Sequence, residues 1–437
     1  MNNTINIIGK LNNDDDFTIS STTMQVNLIN KKDYHYTFWN TGINHNKNLK
    51  LLPNFYSNEG LDLLYISLFV YFADKRIKRE QFPDAWTRKI KLYVPVLSNK
   101  WRGQEELIEE MLSFLSGDVW EIDFRERNLN EFEKRFQKKL KRNKNEKLDF
   151  EKICMLSGGL DSFIGAIDLL ESLNNIAFVN HYGGGASSKK YIDKVHGALN
   201  KEYNKKNFKV FKFHAAPING KEDTTRTRSF MFFAHAIAIA TALNKNIDLI
   251  IPENGLISLN IPLTNSRLSS SSTRTTHPYY MLLLQKLLRN LDIKVNLKNP
   301  YQFKTKGEMI EGCKNRDFLI NHIVDTMSCS HSDYFRYLKA KEPYHCGICL
   351  PCVIRRAAIK KAGFIDATNY WYNDFSSKQA KKNLKVYKLG IEKYQNTKNK
   401  FLRIQMAGPI NSNLKDYESL YDRGMNELKD FLDGFNG

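Results

Sequence analysis

A serine- and glycine-rich segment between an apolar strand and a helix is the part of this chain best suited to chemistry. Residues 157–162 read S-G-G-L-D-S and follow the apolar run Ile153–Leu156, which is typical of a buried parallel strand. Apolar residues then recur at helical spacing from Ile164, so the backbone N–H groups of the segment lie at a helix start, where anions bind. Glycines let that backbone approach a ligand closely. The segment therefore predicts a phosphate-binding loop.

The side chains of this loop strengthen the prediction. Its two serine hydroxyl groups can donate to phosphate oxygens, and the carboxylate of Asp161 can bind a divalent cation such as Mg²⁺. A strand-to-helix turn without a ligand is the alternative, but the acid and the second serine favour a nucleotide such as ATP. The residues predicted to bind it are Ser157, Gly158, Gly159, Leu160, Asp161 and Ser162.

A second group of chemically capable residues lies further along the chain. The run C-G-I-C-L-P-C begins at Cys346, and Cys329 precedes it by sixteen intervening residues. Four thiolates from two short segments form a closed tetrahedral Zn²⁺ site, which is structural because no coordination position stays open. His331 and His345 are near enough in sequence to replace Cys329. The predicted zinc ligands are Cys329, Cys346, Cys349 and Cys352.

The loop resembles the PP-loop of the N-type ATP pyrophosphatases, and loop and cysteines together resemble the QueC family of 7-cyano-7-deazaguanine synthases. The segment Asn299–Cys313, N-P-Y-Q-F-K-T-K-G-E-M-I-E-G-C, is similar to that family's P…K-T-K-x-E-I…G segment. Arg355 matches its C-x-x-R, and Thr227–Leu243 resembles its helix after an arginine-bearing loop. The likeness covers Lys152–Phe364, about half of the chain.

This resemblance implies a PP-loop domain of the adenine nucleotide alpha hydrolase-like type and a reaction at the α-phosphate of ATP. It implies an AMP- and pyrophosphate-forming ligase that adenylates a carboxylate. In that reaction Asp161 would help to hold Mg²⁺, and Lys304 or Lys306 would stabilise the departing pyrophosphate.

Alternating strand and helix patterns favour the same fold independently of the family. They predict right-handed crossovers and a doubly wound parallel α/β sheet, with ligands at the carboxyl ends of the strands. His181 and Glu253 fall just past two such ends, and His181 is predicted to contact the nucleotide. The predicted strands are Ile153–Leu156, Ile176–Val179, Phe208–Phe213, Ile247–Ile251 and Ile293–Val295.

The chain is long for one core, so we expect several regions. Between Lys134 and Lys147 the sequence contains eight Lys or Arg residues and one acidic residue. This charge pattern predicts an exposed helix or a linker. The predicted regions are an N-terminal α+β module (1–127), a basic linker or helix (128–148), the QueC-like PP-loop domain (149–364) with the zinc site at 329–352, and a helical C-terminal region (365–437).

The segment after the strand at Ile247–Ile251 departs from the synthase pattern. It is polar and Ser/Thr-rich where the synthases carry an Asp/Tyr-rich substrate segment. Its place at the carboxyl end of a strand predicts a substrate lid, with a surface loop as the alternative. The residues predicted to touch a substrate are Arg226, Arg228, Glu253, Asn254, Arg267, Arg274 and His277.

The front module and this segment resemble the QueC-like proteins of bacterial anti-phage operons, the QatC group of the Qat system. The resemblance is carried by W-T-R at Trp86–Arg88, G-D-V-W at Gly117–Trp120 and the later E-N-G…T-R-T-T-H-P run. It implies antiviral defence and a deazapurine substrate related to 7-carboxy-7-deazaguanine. It also implies an amine acceptor, either ammonia or a neighbouring protein of the same operon.

The net charge and the composition restrict the possible classes of binding partner less than the motifs do. A formal net charge of +19 leaves a nucleic acid, an acidic protein or merely a lysine-rich surface open. No apolar run approaches the about 20 residues of a membrane span. Residues 1–4 carry no signal-peptide pattern, so we expect a cytoplasmic protein with reduced thiols.

Two other functions compete with the ligase. PP-loop enzymes that modify nucleic acid by RNA thiolation need a reactive cysteine, and only Cys154 and Cys313 are left once zinc has four ligands. A non-catalytic subunit of a defence complex that senses ATP or a deazapurine is the other alternative. The intact S-G-G-L-D-S segment argues against it, because a site that no longer catalyses a reaction has no need of Asp161.

Overall fold

The computed structural model describes residues 4–20, 23–29, 32–36, 47–143, 146–182, 186–224, 226–261, 263, 274–332 and 343–435. The strands in these residues are β1 (Thr4–Lys10), β2 (Thr23–Asn27), β3 (Tyr34–Tyr36), β4 (Lys89–Val96), β5 (Val119–Glu126), β6 (Lys152–Met155), β7 (Asn175–His181), β8 (Asn207–Phe213), β9 (Ala215–Pro217), β10 (Ile247–Ile250) and β11 (Val295–Lys298).

Helices connect most of these strands, and more of them follow β11. They are α1 (Asn58–Arg76), α2 (Glu105–Ser116), α3 (Glu131–Arg142), α4 (Leu160–Ser172), α5 (Ala186–Glu202), α6 (Arg228–Thr241), α7 (Gly255–Leu259), α8 (Pro278–Asn290), α9 (Lys306–Glu311), α10 (Arg316–His322), α11 (Leu350–Lys361), α12 (Lys378–Gln395), α13 (Lys400–Ile404) and α14 (Leu414–Leu432). Single 3-10 turns occur at Lys47–Leu51, Arg79–Gln81, Asn99–Trp101, Ile323–Asp325 and Gln405–Ala407.

The larger sheet has five strands in the order β11-β10-β6-β7-β8, and every neighbouring pair is parallel. From β6 the chain first builds outward to β7 and β8, and it then returns to place β10 on the other side of β6. Alternate residues of β6 face opposite layers, since Ile153 packs with α6 and α8 whereas Cys154 packs with α4. The sheet is therefore an α/β sheet wound in two directions, with its switch point between β6 and β10.

The smaller sheet corrects the predicted α+β module at residues 1–127. Its four strands lie in the order β2-β1-β4-β5, and all three pairs are parallel. Parallel neighbours require crossover connections, and α1 lies in the connection that enters β4 and α2 in the one between β4 and β5. The module is thus a second parallel α/β layer. The apolar runs Ile5–Ile8 and Ile90–Val96 lie within β1 and β4, and Met111 lies on α2.

Helix α1 joins the two sheets into one hydrophobic core. Its residues 60–74 are all buried, as expected for a helix that is apolar on every side. Close approach to α6 depends on Gly60, because a Cβ atom there would lie 2.7 Å from Thr241 Cγ2. The front module therefore packs against the α6 face of the larger sheet instead of forming a separate body.

The C-terminal helices form a third layer, as predicted for residues 365–437. They pack with α7 and α11 in a cluster that contains Leu420 and Leu428. The linker region is the amphipathic helix α3, which buries Phe136 and Leu140 and exposes its basic face. No described helix is both long and apolar enough for a membrane span.

A glutamine closes the free edge of the larger sheet at β11. The side-chain amide of Gln285, on α8, donates to Val295 O at 3.1 Å and accepts from Leu297 N at 2.7 Å. One side chain therefore satisfies two of the backbone groups that a further strand would use. The predicted strand at Ile293–Val295 begins two residues later, at Val295.

Candidate functional site

The S-G-G-L-D-S segment connects β6 to α4 at the carboxyl end of the central strand. Ser162 Oγ accepts from Ser157 N at 3.1 Å and donates to Gly159 O at 3.0 Å, which closes the turn on itself. Gly158 has φ +78°, and a Cβ atom there would lie 3.1 Å from the backbone nitrogen of Ile192. Only glycine fits this position, so the loop shape is fixed before any ligand binds.

The carboxylate of Asp161 lies in a buried polar cluster beside this loop. Lys306 Nζ is 2.7 Å from Asp161 Oδ1, while Asn254 donates to Oδ2 from its side chain at 2.7 Å and from its backbone at 3.2 Å. Burial raises the pKa of Asp161, but Lys306 and the hydrogen bonds from Glu253 and Asn254 outweigh it, so the pKa lies below its ordinary value. Asp161 is thus ionised, and its charge is balanced by one lysine.

Glu253 shares that cluster in the opposite protonation state. Burial first, and then the neighbouring Asp161 carboxylate, raise the pKa of Glu253 well above its ordinary value, although Lys306 opposes the shift. Two carboxyl groups beside one ammonium group therefore hold a proton between them. The pair sits at the switch point of the sheet, since Asp161 follows β6 and Glu253 follows β10.

Of the two lysines predicted near the phosphates, only one reaches the loop. Lys306 is 6% exposed and its ammonium group is paired with Asp161. Lys304, two residues earlier, is exposed, and its Nζ lies 5.9 Å from the centre of the Tyr301 ring. Thr305 between them caps helix α9, so the chain turns and the two side chains diverge.

His181 ends β7, next to the strand that carries the loop. Its ring stacks on Phe232 with centroids 4.5 Å apart, and its Nε2 accepts from Ala215 N at 3.1 Å. Burial, followed by the charges of His235 and Arg228, holds the pKa of His181 well below its ordinary value. The neutral ring therefore carries its proton on Nδ1, which has no hydrogen-bond partner within the described ranges. A buried donor of this kind can bind a ligand.

The predicted substrate residues fall into two groups. Arg228 lies 5.5 Å from the Phe232 ring, close to His181, and Glu253 and Asn254 contact Asp161. Those three residues thus lie along the carboxyl edge of the larger sheet.

The second group contacts the front module. Arg226 donates to Ser116 O at 2.6 Å and covers the ring of Trp86, while Arg274 donates to Phe114 O at 2.8 Å. The ring centre of His277 is 5.1 Å from that of Phe114. Arg274 and His277 thus hold the C-terminal end of the predicted lid against α2, whereas Arg226 binds α2 from the segment before α6. Arg267 lies outside the described residues.

The predicted metal centre is a compact cluster of thiol and imidazole groups. The candidate ligand atoms of Cys329, His331, Cys346 and Cys349 all lie within 4.8 Å of one another, so this Cys3His set can hold a metal ion such as zinc. Two backbone N–H groups, of His331 and Cys346, donate to Cys329 Sγ at 3.3 Å each. Such hydrogen bonds stabilise thiolates that bind a metal.

Cys352 and His345 complete the surroundings of this cluster. Cys352 Sγ is 3.9 Å from Cys346 Sγ, so all four predicted thiols gather at one place. His345 is not a member of the set, because its Nε2 faces Thr326 O at 3.0 Å and its Nδ1 faces Cys352. The turn depends on Gly347, whose φ is +83° and whose Cβ would lie 2.2 Å from Tyr372 O.

The metal cluster is tied to the glycine loop through residues 326–327. Met327 N donates to Gly158 O at 3.0 Å, and Arg355 donates to Thr326 Oγ1 at 2.7 Å. A metal bound by Cys329, Cys346 and Cys349 would thereby also help to fix one side of the loop.

Sequence reasoning missed two functional candidates in the tail, Arg423 and Glu427 of α14. Arg423 donates to Glu308 at 2.5 Å, and Glu427 accepts from the hydroxyl group of Thr305. Both contacts surround the segment that carries Lys306. No local pattern marks these residues, since helical arginines and glutamates are ordinarily solvated.

No protein-family model matches the chain, and no curated protein matches it.

Proposed function

We propose that the chain is a QueC-like, ATP-dependent C–N ligase that forms AMP and pyrophosphate and acts in antiviral defence. Its substrate would be the carboxylate of a 7-deazaguanine related to 7-carboxy-7-deazaguanine. One observation carries the proposal: the S-G-G-L-D-S loop opens α4 at the switch point of a parallel sheet, and the buried Asp161–Lys306 pair lies at its rim.

In the first proposed step the loop binds the phosphates of ATP through its N–H groups, Ser157 and Ser162. The substrate carboxylate attacks the α-phosphorus, the bond from that phosphorus to the bridging oxygen breaks, and pyrophosphate leaves. Lys306 would shift from Asp161 toward the departing pyrophosphate, whose charge exceeds that of one carboxylate. Catalysis would rest on positioning and electrostatics, without a catalytic triad.

In the second proposed step an amine displaces AMP. The amine nitrogen attacks the acyl carbon, the carbon–oxygen bond to AMP breaks, and the amine loses a proton to water. Ammonia would give an amide, whereas an amino group of a partner protein from the same operon would give a conjugate. We place the deazapurine beside Glu253 and Arg228, at the carboxyl edge of the larger sheet.

Both metal ions of the proposal have fitting donors. Asp161 and Glu253 offer the hard oxygen atoms that Mg²⁺ prefers, and Mg²⁺ would neutralise phosphate charge there once Glu253 releases its proton. Zn²⁺ would be held by cysteines of the cluster, with Cys352 and His331 as the two candidates for the fourth position beside Cys329, Cys346 and Cys349. It would supply folding energy and no chemistry.

The direct test is to measure AMP and pyrophosphate released from ATP with 7-carboxy-7-deazaguanine, with and without an amine. We expect AMP from the natural chain and at least about a hundredfold less from Lys306→Ala. Lys304→Ala is the matched control, because that lysine is exposed and two residues away, and it should keep most activity. ADP as the sole product would contradict the proposal.

The acceptor needs a separate measurement. Intact-mass spectrometry of operon proteins expressed together with the chain would reveal an added deazapurine. The same expression with Lys306→Ala should give the unmodified mass.

A further inference from the structure

Helix α14 of the tail reaches the segment that carries Lys306. Glu427 is 8% exposed, and its carboxylate accepts from the Thr305 hydroxyl group and from the backbone N–H of Gly307. These two donors flank Lys306 in the chain.

Arg423, one turn earlier on α14, holds the same turn from another side. Its Nε donates to Glu308 Oε1 at 2.5 Å, and its Nη2 donates to Phe303 O at 2.8 Å. Glu308 in turn accepts from Thr305 N at 2.9 Å as part of a capping box. Two charged tail residues thus fix both members of the box that starts α9.

The start of α9 determines where the ammonium group of Lys306 lies. Lys306 is the first residue of that helix, directly after the cap, and its Nζ is 2.7 Å from Asp161. A Cβ atom at Gly307 would lie 2.7 Å from Glu427 Oε1, so the tail helix approaches this turn without space to spare. A shift of α14 would therefore move the lysine away from the loop.

We propose that Glu427 and Arg423 are positioning residues that hold Lys306 at the nucleotide site through the cap of α9. This inference rests on the proposed function, and it makes the C-terminal helices part of the ATP site instead of an appendage. Neither residue touches the reacting atoms.

Packing alone does not explain a buried carboxylate at this place. Leu420 and Leu428 already join α14 to α7 and α11, and they do so without polar groups. A carboxylate inside such a contact carries a desolvation penalty that an apolar residue avoids. The hydrogen bonds to Thr305 and Gly307 are what Glu427 adds.

The first experiment measures AMP formation by Glu427→Ala, Glu427→Gln and Thr305→Val. We expect kcat about 10- to 100-fold lower for Glu427→Ala, with the KM for ATP changed less, because a misplaced lysine fails chiefly in the transition state. Glu427→Gln keeps an acceptor oxygen and should restore most of kcat. The double variant Thr305→Val/Glu427→Ala should have a kcat no lower than that of the more impaired single variant. Both substitutions break the same hydrogen bond between Thr305 and Glu427.

The second experiment needs no activity. Reductive methylation of the folded protein is followed by mass spectrometry. Lys306 should be labelled at least about tenfold faster in Glu427→Ala than in the natural chain. The reason is that the lost hydrogen bond between Glu427 and Thr305 no longer holds the start of α9 in place. Lys304 is an internal control, because it is exposed and should be labelled equally in both proteins.

Two control variants on α14 separate positioning from lost stability. Leu428→Ala removes packing from the same helix, so it should lower the melting temperature and leave Lys306 protected. Asp430→Asn changes an exposed acidic residue and should alter neither the melting temperature nor the labelling of Lys306. Equal labelling of Lys306 in Glu427→Ala and Leu428→Ala would overturn the inference. If the natural chain forms no AMP while labelling behaves as expected, the ligase proposal fails and the positioning contact stands.

Discussion

The front module and the C-terminal helices pack on different parts of the larger sheet's domain, and their charged side chains differ in burial and in partners. In the front module Arg88 binds both Asp74 and Asp118, and Arg79 binds Asp118, at distances of 2.5 to 2.8 Å. Asp74 also accepts hydrogen bonds from the backbone and the hydroxyl group of Thr227, directly before α6. In the tail, by contrast, Arg423 forms an ion pair with Glu308, which lies on α9 near Lys306.

This difference indicates which part of the candidate site the front module contacts and which part the C-terminal helices contact. Arg226 and Arg274, predicted for the substrate, both donate to carbonyl groups of α2 in the front module. Lys306, predicted for the nucleotide, is reached from the tail. On the proposed function, the front module would shape the substrate side by accepting hydrogen bonds from Arg226 and Arg274, whereas the tail would position the nucleotide side through Thr305 and Glu308.

Loss of the metal should affect the tail side most strongly. Cys349→Ser removes a ligand of the Cys3His set, and we expect the variant to lose bound zinc and more than about 5 kcal/mol of unfolding free energy. Hydrogen exchange should then show early opening of residues 326–361, while the front sheet stays protected. Opening of both sheets together would break the comparison.

A break in the front charge network should be the next largest effect. Asp118→Ala leaves Arg79 and Arg88 buried without that partner, which we expect to lower the unfolding free energy by about 3–5 kcal/mol. Urea denaturation measures that loss. The folded protein should keep its KM for ATP, because the network does not touch the loop, and a changed KM would contradict the division between the two regions.

The pH dependence of stability should distinguish the tail carboxyl group. Burial raises the pKa of Glu427 to about 7, with Glu308 adding to the shift while Thr305, Gly307 and Lys361 oppose it. A raised pKa favours the folded state at low pH, so this contribution is complete below about pH 4.5 and is lost as the pH rises to about 7.

Glu427→Gln cannot titrate and should lack this dependence. Relative to the natural chain, it should gain on the order of 3 kcal/mol of unfolding free energy between pH 4.5 and pH 7. Urea titrations at four pH values measure the difference. A constant difference would show that Glu427 is ionised throughout that range.

Removal of a ring at the front junction should have the smallest effect. Phe114 contacts His277 and Tyr279 and carries the carbonyl group that Arg274 binds. We expect Phe114→Ala to cost about 2 kcal/mol of unfolding free energy, because the ring is only half-buried. The KM for the deazapurine should rise severalfold in AMP assays, and the KM for ATP should not.

Local sequence patterns were sufficient for the centre of the molecule. The strand–glycine–helix order placed the S-G-G-L-D-S turn at the end of β6, and the cysteine spacing placed the thiols together. The first depends on neighbours within a few residues, and the second on two short segments that sixteen residues separate. The α+β assignment of residues 1–127 is wrong because the direction of strand pairing depends on long-range contacts that periodicity does not contain.

Tertiary contacts explain what the sequence did not reveal. Thr305 and Glu427 are separated by 122 positions, and only the packing of α14 brings them together. Arg226 is predicted to touch a substrate, yet its side chain covers the ring of Trp86 in the front module. In the same way Lys304 and Lys306 are equivalent in sequence, and the cap at Thr305 separates them.

The side-chain amide of Gln285, which lies on α8 and binds β11, also affects contacts between copies of this protein. An unpaired strand acts as a template that recruits a strand from another chain, which is one route to aggregation. Here a second molecule would first have to displace hydrogen bonds of 2.7 and 3.1 Å that the chain makes with itself. Growth of the sheet from one molecule into the next is therefore blocked at this border by a single residue.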